Sequence, residues 1–193
     1  MVHTRKAAYP ILPLILNRWS QRAMSGEQIS KEQLMSLFEA ARWAPSSFNN
    51  QPWRFIYAQK NTPFWDTLFN LLVPFNQQWV STASILLVVF SYMRFTKTNK
   101  PSRTHAFDTG AAVQNLALEA YSQELVVHAM EGFDYDQAYQ ACSIPRDDYE
   151  IHAMLAIGKP GNVQLLNQEL QQREEPSDRV PINTLIYEGI FKP

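Results

Sequence analysis

The sequence predicts an α+β fold, a central sheet flanked by helices, and three stretches carry that prediction. Ser30-Lys31-Glu32-Gln33 is a capping box, followed by Leu34, Leu37, Phe38 and Ala41 at helical spacing. Ile85 to Phe90 is continuously apolar and rich in β-branched residues, the mark of a strand covered on both faces. Phe107 to Glu124 carries Ala111, Ala112, Val113, Leu116, Ala117, Leu118, Ala120 and Tyr121 around almost its whole circumference. A helix that apolar must be buried on every side. A second copy of the helix across a two-fold axis would do this, and so would a central place in a monomer core.

The remaining elements follow in order. Met1 to Leu16 has Arg5 and Lys6 before an apolar run, but two prolines interrupt the run and no cleavage pattern follows. It reads as an arm leading into the first helix of a cytoplasmic protein. Arg54 to Gln59 reads as a strand, Phe64 to Leu72 as a short helix broken by Val73-Pro74, and Asn76 to Ser81 as another helix. Residues 94 to 105 are polar and basic and read as an exposed loop. Leu125 to Met130 is a strand, and Gln123-Glu124 before it holds no glycine. A left-handed helix cap there would cost about 1 kcal/mol more than with glycine, or a different turn is used. Asp136 to Ala141 is helical, Tyr149 to Ile157 a buried strand, and Val163 to Gln172 a helix. Arg179 to Pro193 is an extended tail whose Leu185, Ile186, Tyr187, Ile190 and Phe191 need a surface to dock on.

Two segments hold the candidate chemistry. In Ala44 to Trp53, Pro45 should stop the preceding helix, and Pro52 should pin Gln51 to an extended backbone. The loop between them presents hydroxyls and carboxamides, suited to a flat neutral ligand with several acceptors. On residues alone the plainer reading is a connection whose Ser and Asn satisfy turn chemistry. Arg18, Ser20 and Arg22 are spaced two apart, so a turning backbone is needed to bring the two guanidiniums onto one phosphate; otherwise they are solvated surface arginines.

Together these segments resemble the FMN-dependent nitroreductase family. Arg18-Trp19-Ser20-Gln21-Arg22 is similar to its opening Arg-x-Ser-x-Arg/Lys signature. Pro45-Ser46-Ser47-Phe48-Asn49-Asn50-Gln51-Pro52-Trp53 matches its Pro-Ser-Ser-x-Asn-x-Gln-Pro-Trp loop throughout. The resemblance implies a central mixed sheet flanked by helices, in a homodimer whose C-terminal tail is exchanged between subunits. It implies FMN contacts from Arg18, Trp19, Ser20 and Arg22, and from Pro45, Ser46, Ser47, Asn49 and Gln51 of the neighbouring subunit's loop. Asn76 matches a ring-contacting asparagine, Met130-Glu131-Gly132 the segment whose amides face flavin N5, and Arg179 a phosphate-binding arginine. Trp19, Trp79 and Ser177 stand where some members carry basic residues. Phe48 is the candidate for lining the substrate pocket, or else a loop aromatic packed into the interface. The implied activity is a ping-pong transfer of hydride from NADH or NADPH, through flavin N5, to a small-molecule acceptor such as a nitroaromatic or quinone. Reductive dehalogenation, oxidation of heterocycles or peptides, and FMN storage are the alternatives.

Composition narrows the classes. In 193 residues, 46% are hydrophobic and 18% charged, enough to bury a core in one domain over residues 1–193. A net charge of -1 gives no reason to expect nucleic acid or an anionic membrane as partner. The single Cys142 allows no internal disulfide. His3, His105, His128 and His152 show no ligand spacing, so no metal is expected. With six glycines, no GxGxxG and no P-loop, a dinucleotide fold has no support. A chain without evident nucleophile or metal fits one whose cofactor carries the reaction.

Overall fold

A computed structural model describes residues 5–191. His3 and the start of the N-terminal arm, with Lys192 and Pro193 of the tail, lie outside the described residues. Four strands, β1 (Trp53–Gln59), β2 (Ile85–Tyr92), β3 (Val126–Met130) and β4 (Tyr149–Gly158), form one sheet in the order β1-β2-β4-β3. Among the described residues, seven α-helices surround it: α1 (Pro13–Asn17), α2 (Lys31–Arg42), α3 (Trp65–Asn70), α4 (Pro74–Val80), α5 (His105–Ser122), α6 (Tyr135–Ala141) and α7 (Gln168–Gln172).

All three ladders are antiparallel, which corrects the expected mixed sheet. β2 and β3 do run in the same direction and α5 connects them, but β4 lies between and opposes both. β2 is apolar on both faces because helices cover both. Leu34, Leu37 and Ala41 of α2, with Ala112, Leu116 and Ala120 of α5, pack on Ile85, Leu87, Val89, Leu155 and Ile157. Trp65 and Leu68 of α3, Trp79 and Val80 of α4, Ala138 of α6 and Leu170 of α7 pack on Leu86, Val88, Phe90, Met154 and Ala156. Leu37 is wholly buried, so Leu37→Ala would cost about 2–5 kcal/mol.

Local chemistry sets the element ends. Ser30 Oγ accepts from the Gln33 amide at 3.1 Å, and Gln33 Oε1 accepts from the Ser30 amide at 3.1 Å, the reciprocal pair that starts α2. Pro74 occupies the first turn of α4, where a missing N–H costs nothing. The corner after α5 does use the left-handed cap: Glu124 has φ 57°, the Leu125 amide reaches the Ala120 carbonyl at 2.8 Å, and the Glu124 amide the Tyr121 carbonyl at 3.1 Å. The helix expected over Val163 to Gln172 is two pieces, a 3-10 turn at Val163–Leu165 and then α7. Leu166 is extended between them, and Asn162 and Asn167 each cap a separate start. Residues 95–100 of the polar loop fold back on themselves, the Phe95 amide bonding the Lys100 carbonyl at 2.8 Å.

Candidate functional site

The loop from Pro45 to Pro52 lies at the β1 edge of the sheet, on the α2/α5 face. Its backbone is unusual: Phe48, Asn49 and Gln51 have φ of 52°, 53° and 49°. Gln51 is therefore left-handed, not extended as the following proline predicts. The loop's own hydrogen bonds override the steric preference before proline. The Gln51 amide donates to Ser46 Oγ at 3.0 Å, and Gln51 Nε2 donates to Asn49 Oδ1 at 3.1 Å. The Ser47 amide donates to the buried carboxylate of Asp108 on α5 at 3.1 Å, and Asn50 Nδ2 donates to the Arg94 carbonyl at 3.0 Å. Ser46 and Asn50 thus hold the loop, while Phe48 and Asn49 are the side chains it presents. Phe48 is 86% exposed, its ring meeting only the edge of Phe95 among aromatic neighbours, at 5.7 Å between centroids. Left-handed non-glycine residues cost about 1–3 kcal/mol each and persist where the surroundings enforce them, often at binding sites.

A second constellation sits at the opposite edge, along β3. The segment Arg18 to Met24 runs past it: His128 Nδ1 donates to the Gln21 carbonyl at 3.0 Å, and Met24 bridges Pro160. Trp79 of α4 lies against the His128 ring at 4.5 Å between centroids, and both belong to the α3/α4 face. Burial pushes the His128 pKa down to about 4, with Arg22 and Arg18 adding to the shift, so the ring is neutral at pH 7. Asn76 Nδ2 donates to the Gly132 carbonyl at 2.9 Å, and a Cβ on Gly132 would stand 2.8 Å from that nitrogen. Asn76 and the buried end of β3 at Met130, with Glu131 and Gly132 after it, therefore lie together.

The expected clamp of Arg18 with Arg22 takes another form. Arg22 turns to Glu174, its Nη1 lying 3.5 Å from Oε2, while Oε1 accepts from the Arg22 amide at 2.6 Å and the Ala23 amide at 2.9 Å. Arg18 instead keeps company with Arg5 and Arg179. Burial, then Arg5 and Arg179, lower the pKa of Arg18; burial and Arg179 lower that of Arg5, with Asp178 opposing. Arg5 Nη1 donates to the carbonyls of Leu16 and Arg18 at 3.0 and 2.9 Å. Among the described residues its Nε is buried without a partner, as is Trp79 Nε1. Three guanidiniums near one carboxylate suit a multiply charged anion such as a phosphate ester. Trp19 and Ser20 are half-buried within the same segment. Sequence reasoning missed Arg5, Asp108 and Glu174, because each acts on residues far away in the chain.

One chain does not unite these two constellations. β1 and β3 are the two edges of a four-stranded sheet, roughly 14 Å apart across three strand spacings. The loop lies on the α2/α5 face, while Asn76, Trp79 and His128 belong with the α3/α4 face, so the sheet stands between them.

The sequence pattern of the Nitroreductase family matches residues 15–66 and 59–159. A solved oxidoreductase containing FMN is 40% identical, with a TM-score of 0.93 over 100% of this chain and 99% of its own. A protein from Desulfovibrio desulfuricans, provisionally named a nitroreductase and solved in complex with FMN, is 27% identical. Its TM-score is 0.73 over 96% of this chain and all of its own. YdgI of Bacillus subtilis (strain 168), which carries a provisional NAD(P)H nitroreductase name, is 41% identical over 66 residues, 34% of this chain. That match spans 31% of the Bacillus protein's length. No described helix is long and apolar enough to cross a membrane.

Proposed function

The chain belongs to the nitroreductase family, and from that premise we propose that it is an FMN-dependent oxidoreductase, working as a homodimer whose subunits share each site. Its donor is NADH or NADPH, and its acceptor a small molecule such as a nitroaromatic or quinone. The observation that carries this reading is the separation of the two constellations. Charge and the Asn76–Gly132 contact lie at one sheet edge, and the neutral loop lies at the other edge and face. A two-fold axis brings the β3 edge of one subunit to the loop of its partner.

The residues fit the cofactor. Arg18 and Arg179, backed by Arg5, would take the phosphate, and the Nε of Arg5, buried with no partner among the described residues, adds to the donors there. Asn76, Trp19, Ser20 and the Met130–Gly132 segment would hold the sugar chain and ring, with Arg22 keeping the segment in place through Glu174. Pro45, Ser46, Ser47, Asn49 and Gln51 would close over the ring from the partner, with Phe48 facing the substrate. When bound, FMN supplies the hydride chemistry; the chain binds it, orients it and excludes water. A second copy also gives the apolar tail a surface. Leu185, Ile186, Ile190 and Phe191 are exposed, as is Phe107 on α5. Exchange of this tail between subunits would cover both.

Complementation tests the shared site. Arg18→Ala and Asn49→Ala homodimers each bind FMN weakly. Differently tagged, co-purified mixed dimers concentrate both lesions in one site and leave the other intact. One tight FMN per mixed dimer is the expected titration result, and a mixed dimer without a tight site would sink the proposal.

A further inference from the structure

β4 carries one residue too many for its partner β2. Val89 pairs with Ala153 and Phe90 with Ile151, so His152 is the extra residue of a β-bulge. The bulge changes which side chains face which layer. Beyond it, Leu155 and Ile157 face α2 and α5, and Met154 and Ala156 face the other helices. Before it, Ile151 belongs to the α3/α4 face, which turns Glu150 and His152 toward α5. There they meet Ser91 of β2 and His105, the first residue of α5. Ser91 Oγ lies 2.8 Å from His105 Nδ1 and 2.7 Å from His152 Nε2, and His105 Nε2 lies 3.6 Å from Glu150 Oε2. One ligand atom from each of His105, Glu150 and His152 falls within 4.8 Å of the others.

We propose that His105, His152 and Glu150 bind a divalent transition-metal ion of the zinc type. Two imidazoles and a carboxylate are a common zinc donor set, and water completes a tetrahedral shell. Ligands about 2.0–2.2 Å from such an ion sit about 3.3 Å from one another, so the separation of His105 Nε2 from Glu150 closes with a shift of a few tenths of an ångström. Ser91 is the outer partner that aims the rings. Its hydroxyl oxygen can accept the His105 Nδ1 proton, which leaves His105 Nε2, the nitrogen that faces Glu150, free to ligate. A nucleophilic role for Ser91 is excluded by its burial, since none of its surface is exposed to a substrate. Glu150 is half-exposed and gives the ion its path in. The ion would pin the start of α5 to β4, one ladder pair from Trp53, where the Pro45–Pro52 loop joins β1.

The test uses tag-free holoprotein stripped with a chelator and dialysed against zinc sulfate. Elemental analysis should find about one zinc per chain, and zinc should raise the melting temperature. Competition against a chromophoric chelator should show Glu150→Gln and His152→Gln each weakening zinc about tenfold or more, and His128→Gln leaving it unchanged. Glu150 lies at the surface, so Glu150→Gln decides the matter even if His152→Gln fails to fold. Substoichiometric zinc in the parent protein, or equal affinity in parent and Glu150→Gln, overturns the proposal.

Discussion

The two constellations differ in what holds them and in what they offer. The Pro45–Pro52 half is a matter of shape: three left-handed residues, fixed by Ser46, Asn50 and Asp108, present Phe48 and Asn49 without charge. The β3 half is a matter of charge: Arg5, Arg18 and Arg179 crowd one another beside a neutral His128 and a close Asn76–Gly132 contact. A site for an anionic, flat ligand needs both properties. Each is easier to build alone, because a strained loop tolerates few buried charges and a crowd of guanidiniums repels itself without an anion. In the proposed dimer, division between two edges of a sheet, rejoined by symmetry, would meet both demands.

The largest expected effect separates charge from shape. Arg179→Ala should weaken FMN by about 1.5–3 kcal/mol, the range for a hydrogen bond to a charged group, and leave riboflavin, which lacks the phosphate, nearly unaffected. Equal losses for the two ligands, measured by fluorescence titration, would show Arg179 acting through folding instead.

Next comes acid sensitivity, which belongs to the charged half. The folded His128 pKa of about 4 lies below the ordinary 6.5. Between those values the unfolded chain binds a proton that the folded chain refuses. Stability from this ring is therefore complete above pH 6.5 and falls as pH drops toward 4. Between pH 7 and 5 the loss is about 2 kcal/mol. Urea unfolding of the parent and of His128→Gln at both pH values checks it, since the variant should lose that much less. The same pH dependence in both proteins would mean that the ring is not the source.

The smallest effect calibrates the strained half. Glu124 is left-handed at an exposed helix end, remote from either constellation. Glu124→Gly should stabilise the fold by about 0.5–1 kcal/mol without changing FMN affinity, read as a rise in melting temperature. That gain measures what one left-handed residue costs here, and so what Phe48, Asn49 and Gln51 together hold in the loop. A loss of stability would show that the loop's geometry carries little strain.

What was legible in the sequence was local. The Ser30–Gln33 box needs four neighbouring residues, and it caps α2 as read. β2 declares its burial by its own composition, and the Pro45–Trp53 and Arg18–Arg22 signatures are contiguous. Their partners were not legible, because those partners are chosen by the fold. Nothing near Arg5 says that it will bond the Arg18 carbonyl, or near Glu174 that it will take the Arg22 amide. His105 and His152 have no ligand spacing in sequence; a one-residue bulge, visible only in the β2–β4 register, turns His152 and Glu150 toward His105 at the start of α5. Strand direction failed for a related reason. Continuous apolar character reports helices on both faces, and it says nothing about whether the neighbouring strand runs up or down.

The Glu174 contacts also set an order of assembly in time. The loop half depends on partners no more than about 60 residues away, Asp108 being the farthest, so it can settle while the chain is still being synthesised. The charged half waits: the backbone of Arg22 and Ala23 finds its acceptor only when a residue some 150 positions later has been added. A nascent chain therefore has the side-chain partners of its Pro45–Pro52 loop long before it has the residue that holds the backbone of Arg22 and Ala23.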